Sequence, residues 1–146
     1  METFAIGDFM SLYCEIKTEF KNQEALIFAL METGRWQTDQ IETYDDAVGL
    51  YGYHNDLRPE KANIIIRRKN IGPSSNDIGF QRNEDGTFKV IISEFDKSRY
   101  NQSWIDKLKS NYAFHAIRIQ QESKGRSVTR TKLPNNNIRV EIKGYR

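Results

Sequence analysis

Residues 61–95 read KANIIIRRKN IGPSSNDIGF QRNEDGTFKV IISEF. The run Ile64-Ile65-Ile66 has the β-branched composition of a buried strand, and it leads directly into three cations, Arg67-Arg68-Lys69. A strand is expected over residues 62–69. Alternation places Ile64, Ile66 and Arg68 on one side and Ile65, Arg67 and Lys69 on the other. The small-residue loop Gly72-Pro73-Ser74-Ser75 comes next. Residues 77–82 and 87–95 then read as a hairpin turning on Asn83-Glu84-Asp85-Gly86, with Asp-Gly as the turn signal. Ile78 and Phe80 match a face made by Phe88, Val90 and Ile92. Gly79, inside the first arm, marks a bulge or a close approach of neighbouring backbone.

Toward the N-terminus, residues 9–17 alternate, with Met10, Leu12, Cys14 and Ile16 on one face, as a half-buried strand does. Cys14 is therefore read as a small core residue. Asn22 is placed to cap a helix whose apolar run is Ala25 to Met31, and Gly34 supplies its stop. Residues 35–43 read as a second strand. Residues 44–61, YDDAVGLYGYHNDLRPEK, form a long excursion. A flap over the end of the Ile64–Lys69 strand, packed by Leu50 and one tyrosine, reconciles its charges with its aromatics; a two-stranded excursion is the other reading. Such a flap is removable without loss of the fold.

Toward the C-terminus, a long helix is expected from Ser103, with Ser103 and Asp106 as a capping-box variant. Ile105, Leu108, Tyr112, Ala116 and Ile119 step by three and four, and Gly125 ends the helix after Lys124. A strand over residues 112–121 is the rival. Strands at 126–133 and 138–143 flank a turn at Pro134-Asn135-Asn136-Asn137. The order β-α-β-β-β-β-α-β-β makes residues 1–146 a single α+β domain: a largely antiparallel sheet with two helices packed on one face.

The 146 residues carry a formal charge of +2, with 38% hydrophobic and 29% charged side chains, ordinary values for a globular chain. The small net charge hides a gradient. Residues 1–60 hold 12 acidic and 4 basic groups, while residues 115–146 hold 8 basic and 2 acidic ones. No apolar run approaches the ~20 residues that span a bilayer, and the N-terminus lacks a basic leader region, so a cytoplasmic protein without a membrane partner is expected. One cysteine excludes an internal disulfide. Cysteines and histidines are too few for structural zinc, and neither a metal nor a cofactor is expected.

The opening strand and helix, Asp77-Ile78-Gly79-Phe80, the Asn83, Asp85-Gly86-Thr87-Phe88 hairpin, Tyr112-Ala113 and Ile138-Arg139-Val140 together carry a resemblance. The chain resembles a small uncharacterised family of conserved plastid and cyanobacterial open-reading-frame products with further bacterial and phage members. The resemblance implies an α+β domain and brings no activity and no catalytic residues. The 44–61 excursion and the Arg67-Arg68-Lys69 run are more elaborate here than in the short plastid members.

Chemical motifs are few. No Gly-x-Ser-x-Gly elbow and no Walker loop occur, and no catalytic residue is assigned. The cations Arg67, Arg68 and Lys69 beside the hydroxyls of Ser74 and Ser75 suit an anion, and Tyr51, Tyr53 and His54 suit a base stacked over it. These residues point to a non-enzymatic binding protein for a small phosphate-bearing ligand of nucleotide type, cyclic nucleotides included. Phage members admit a viral sponge that sequesters a host immune signal. The alternative is a nucleic-acid-binding or protein-interaction module whose basic face comes from Arg118, Arg126, Arg130, Lys132, Arg139 and Lys143. Alternation puts Arg139 and Lys143 together opposite Ile138 and Ile142. The excursion's aromatics also admit a homo-oligomer contact.

Overall fold

The computed structural model describes residues 12–135 and 137–144. The expected strand start at residues 9–11 and the turn residue Asn136 lie outside the described residues. The elements are β1 (Tyr13–Ile16), α1 (Gln23–Gly34), β2 (Glu42–Tyr51), β3 (Leu57–Ile66), β4 (Ile78–Arg82), β5 (Phe88–Ser93), α2 (Gln102–Glu122), β6 (Arg126–Lys132) and β7 (Ile138–Gly144). Five strands form an antiparallel sheet in the order β1-β5-β4-β3-β2, and β6-β7 is a separate hairpin. This is the α+β architecture expected from the element order.

The sheet alternation sorts the core into two layers. Ile64, Ile66, Ile78, Phe80, Val90 and Ile92 pack against Leu26, Ala29 and Leu30 of α1 and Ile105 and Leu108 of α2, so both helices lie on one face. Ile65 and Ile91 point the other way, with Leu50 and Ala62, into a smaller cluster bordered by Tyr13 and Val48. The run Ile64-Ile65-Ile66 is thus buried on both faces. Gly79 is crowded by side chains rather than by backbone. A Cβ there would come within 2.6 Å of the Ala62 Cβ.

Local signals explain the element ends. Asn22 caps α1 by accepting from the Ala25 N–H at 3.0 Å. Gly34 acts differently from a left-handed stop, because Arg35 takes that conformation at φ 60°. Gly34 is required because the Trp36 ring lies over it; a Cβ would meet Trp36 Cζ3 at 2.1 Å. The α2 cap is Asn101, which accepts from the Trp104 N–H at 3.1 Å, rather than Ser103. Residues 112–121 are helical. The β4–β5 turn follows the Asp-Gly signal: Gly86 has φ 86°, and Asp85 accepts from the Thr87 N–H at 3.0 Å. No helix among the described residues is long and apolar enough to cross a membrane.

Three boundaries and the setting of Cys14 differ from the sequence expectation. Residues 35–43 are mostly not a strand; Trp36 turns into the core and Thr38–Gln40 form a 3-10 turn. The strand expected to run to Lys69 ends at Ile66, and Arg68–Asn70 form a second 3-10 turn. Residues 44–61 are not a flap. They supply most of β2 and the first half of β3, with Leu50 fully buried, so the sheet itself would lose its edge strand with them. What disguises β2 is a bulge: Thr43 pairs with Ile64 and Val48 with Ala62, leaving four residues opposite Asn63. The Asn63 amide holds that bulge, donating to the carbonyls of Tyr44 at 3.2 Å and Asp45 at 3.0 Å. Finally, Cys14 pairs with Ile92 on the helix face but is only half-buried, and its thiol donates to Glu94. Burial, then the Glu94 hydrogen bond and charge, push that thiol up, away from a reactive thiolate.

Candidate anion-binding groove

The cation run is engaged inside the fold. The Asp77 carboxylate is fully buried. Its Oδ2 accepts from Arg67 Nη1 at 2.9 Å and from the Tyr51 N–H at 2.7 Å, and its Oδ1 accepts from the Arg68 N–H at 2.7 Å. Arg67 also donates to Glu42 at 2.9 Å and to the Gly49 carbonyl at 3.1 Å. Burial opposes its charge, but the bonds with Asp77, Tyr44 and Glu42 outweigh it and hold the guanidinium more firmly charged than a free arginine. Arg68 donates to the carbonyls of Pro73 at 2.7 Å and Ser75 at 3.0 Å, and to Asn55 at 3.1 Å. The Gly-Pro-Ser-Ser loop therefore offers its acceptors to Arg68 instead of donors to a ligand.

The same loop is tied down from below. Asp96, itself buried, accepts from the Asn76 N–H at 2.9 Å and from Ser93 Oγ at 2.7 Å. Asn76 in turn accepts from the Tyr53 N–H at 2.9 Å. This network fixes the tip of the β2–β3 hairpin to the loop before β4. The residues expected to form one anion site are consequently dispersed. Arg67 and Arg68 are occupied, Ser75 is buried and Ser74 is exposed. Lys69 and Arg68 line one shallow depression of about 530 Å³ with Gln40, Asn70 and Pro73, and Ser74, Ser75, Tyr51, Tyr53 and His54 do not line it. The rings of Tyr53 and His54 pack on each other with centroids 3.8 Å apart.

The second expected set also divides. Pairing of Lys132 with Ile138, Arg130 with Val140 and Val128 with Ile142 puts Arg126, Arg130 and Lys132 on the hairpin side that faces α2. Arg139 and Lys143 share the opposite side, as alternation required, but with Glu141 among them. Arg118 donates to Glu122 at 3.0 Å and Arg126 to Gln121 at 2.7 Å. No single basic face gathers the six.

A different constellation emerges where α1, α2 and β6 meet. The two helices run antiparallel: Thr33 Oγ1 accepts from Asn111 Nδ2 at 2.8 Å, and Trp36 meets Trp104 edge-on at 6.1 Å. Between α1 and the hairpin lies a groove of about 1180 Å³. Its floor is one face of α2: Ser103, Asp106, Lys107, Ser110 and Asn111, spaced by three, one, three and one. Glu32, Thr33 and Arg35 form one wall, and Arg130, Lys132 and Ile138 the other.

Glu32 spans the walls at one end. It accepts from Arg130 and from His115, the latter at 2.8 Å, while Arg130 also donates to Asn111 at 3.2 Å and lies 4.1 Å over the Phe114 ring. The tautomer of His115 follows from its partners. Arg118 Nε–H can only donate, so His115 Nδ1, at 3.2 Å, accepts and Nε2–H donates to Glu32. Burial foremost, with the Arg118 and Arg130 charges, holds the His115 imidazole below its ordinary value despite the pull of Glu32. Burial pushes the Glu32 carboxyl up, but the hydrogen bonds and charges of Arg130 and His115 outweigh it, and the carboxyl is held below its ordinary range.

With Glu32 neutralised by Arg130, the groove keeps Asp106 and three further cations. The side chains of Arg35, Lys107 and Lys132 make no ion pair or hydrogen bond among the described residues, and one comes from each of the three sides. Such a set has the donors and charge for charge-assisted hydrogen bonds to an anion. Sequence reasoning named Arg130 and Lys132 but missed Arg35 and Lys107. The available signal was the polar side of the α2 stripe, where Ser103, Lys107 and Ser110 recur at helical spacing.

Comparison with known proteins places the chain. It belongs to the family described as Protein of unknown function (DUF1257), whose profile matches residues 37–140. The match runs from the turn before β2 into β7 and leaves β1 and α1 outside it. No curated protein and no solved structure matches the chain.

Proposed function

We propose that this protein binds a small phosphate-bearing ligand in the groove between α1, α2 and β6. The observation that carries this reading is the convergence of Arg35, Lys107 and Lys132, each without an ion-pair partner among the described residues, on one concave surface. With Asp106 the one carboxylate left to offset them in the described lining, the three cations repel one another, and an anion that relieves the repulsion gains affinity from all three. Nucleotides, cyclic ones among them, belong to this ligand class. Association with nucleic acid gains less support, because Arg139 and Lys143 stand apart from the groove with Glu141 between them in sequence.

The test is a thermal-shift screen at low salt with pyrophosphate, ADP and a cyclic dinucleotide. At least one should raise the melting temperature of the parent protein and leave a Lys107→Ala, Lys132→Ala double variant unmoved. A screen in which none stabilises the parent, or in which the variant responds equally, overturns the reading.

A further inference from the structure

We infer that the groove reads hydroxyl groups rather than a nucleobase, so that its ligand is a phosphorylated polyol; this rests on the groove being the binding site. Single bases are held by stacking on aromatic faces. Among the described residues the groove lining contains no aromatic side chain. The rings carried by the neighbouring elements are committed elsewhere. Trp36 stacks on Tyr100, which meets Trp104 edge-on at 5.0 Å. Tyr112 packs on Phe20 and accepts from the Lys21 and Asn22 N–H groups at 2.8 and 2.9 Å. Phe28 and Phe114 lie under Arg118 and Arg130.

What the lining offers instead is hydroxyl chemistry. The side chains of Ser103 and Ser110 make no hydrogen bond among the described residues. Thr33 Oγ1 accepts from Asn111 and keeps its own proton to donate. Asp106 accepts one bond, from Gln102 at 2.8 Å, and keeps further lone pairs. Donors and acceptors interleaved in this way match a chain of alcohols, each of which both donates and accepts. The cations stand on opposing walls, Arg35 just past the end of α1 and Lys132 on β6, which favours a ligand with phosphate at both ends.

A matched pair of probes isolates the claim. Fructose 1,6-bisphosphate and hexane-1,6-diol bisphosphate carry the same phosphates and differ in hydroxyls; ADP carries two phosphates and a base. Titration calorimetry at low salt should find the sugar bisphosphate about tenfold tighter than either of the others, the worth of one or two net hydrogen bonds. A Ser103→Ala, Ser110→Ala double variant should narrow the difference between the first two, and an undiminished difference contradicts the role of the two hydroxyls. Equal binding of sugar and diol, or tighter binding of ADP, overturns the polyol assignment while leaving the anion groove standing. Binding of none of the three overturns both.

Discussion

Arg67 Nη1 donates to Asp77 Oδ2 at 2.9 Å, joining the end of β3 to the residue before β4. This bond withdraws the foremost cation of the chain from any ligand. It also makes Asp77 an acceptor for three donors, the Arg67 guanidinium and the backbone N–H groups of Tyr51 and Arg68.

Asp77→Ala should therefore destabilise the protein by about 2 kcal/mol, since it leaves the part-buried amides of Tyr51 and Arg68 without their acceptor and Arg67 with Glu42 as its remaining ion-pair partner among the described residues. Asp77→Asn, which keeps acceptor capacity without the charge, should lose less. Urea denaturation measures both. A loss below about 1 kcal/mol for the alanine variant contradicts this role.

Asn63 makes a second structural joint. Besides holding the β2 bulge through Tyr44 and Asp45, its Oδ1 accepts from the Arg82 N–H at 2.9 Å. Asn63→Ala removes three bonds at a buried site and should cost about 2 kcal/mol. Amide hydrogen exchange should quicken at Arg82. Unchanged exchange there would contradict the bond from Arg82 to Asn63.

His115 imposes a pH dependence whose sign follows from its lowered pKa. The unfolded chain takes up a proton near the ordinary value of 6.5 while the folded protein still refuses it. The stability it contributes is complete above 6.5 and declines as pH falls from 6.5 toward the folded value. Glu32, also lowered, adds a separate decline below its ordinary value of 4.5. His115→Gln keeps a donor for Glu32 and an acceptor for Arg118 and cannot protonate. Its denaturation midpoint, compared with the parent's, should lack the slope just below pH 6.5. The same slope in both proteins contradicts the assignment.

Much of the fold was legible because its signals are local. Asn22, Asp85-Gly86 and the alternation of Ile138, Val140 and Ile142 each act on neighbours a few residues away. The misread segments depend on distant partners. Glu42–Tyr51 does not alternate because four of its residues bulge around Asn63, which lies on the adjoining strand. The Arg67-Arg68-Lys69 run resembled a free anion site because its acceptor, Asp77, reaches it only once β3 and β4 pair, with Ile66 opposite Ile78. The groove needs residues near 33, 107 and 131 in the chain, and no periodicity within one element announces such a meeting.

The groove assignment is tested most directly by titrating pyrophosphate at low salt into the isotopically labelled protein and mapping amide shifts by nuclear magnetic resonance. If the ligand sits between α1, α2 and β6, the largest shifts fall on Thr33, Arg35, Lys107, Asn111 and Lys132, and residues 67–75 stay unmoved. Shifts centred on Arg67, Arg68, Lys69 and the Ser74-Ser75 loop, with the α2 amides silent, would contradict it.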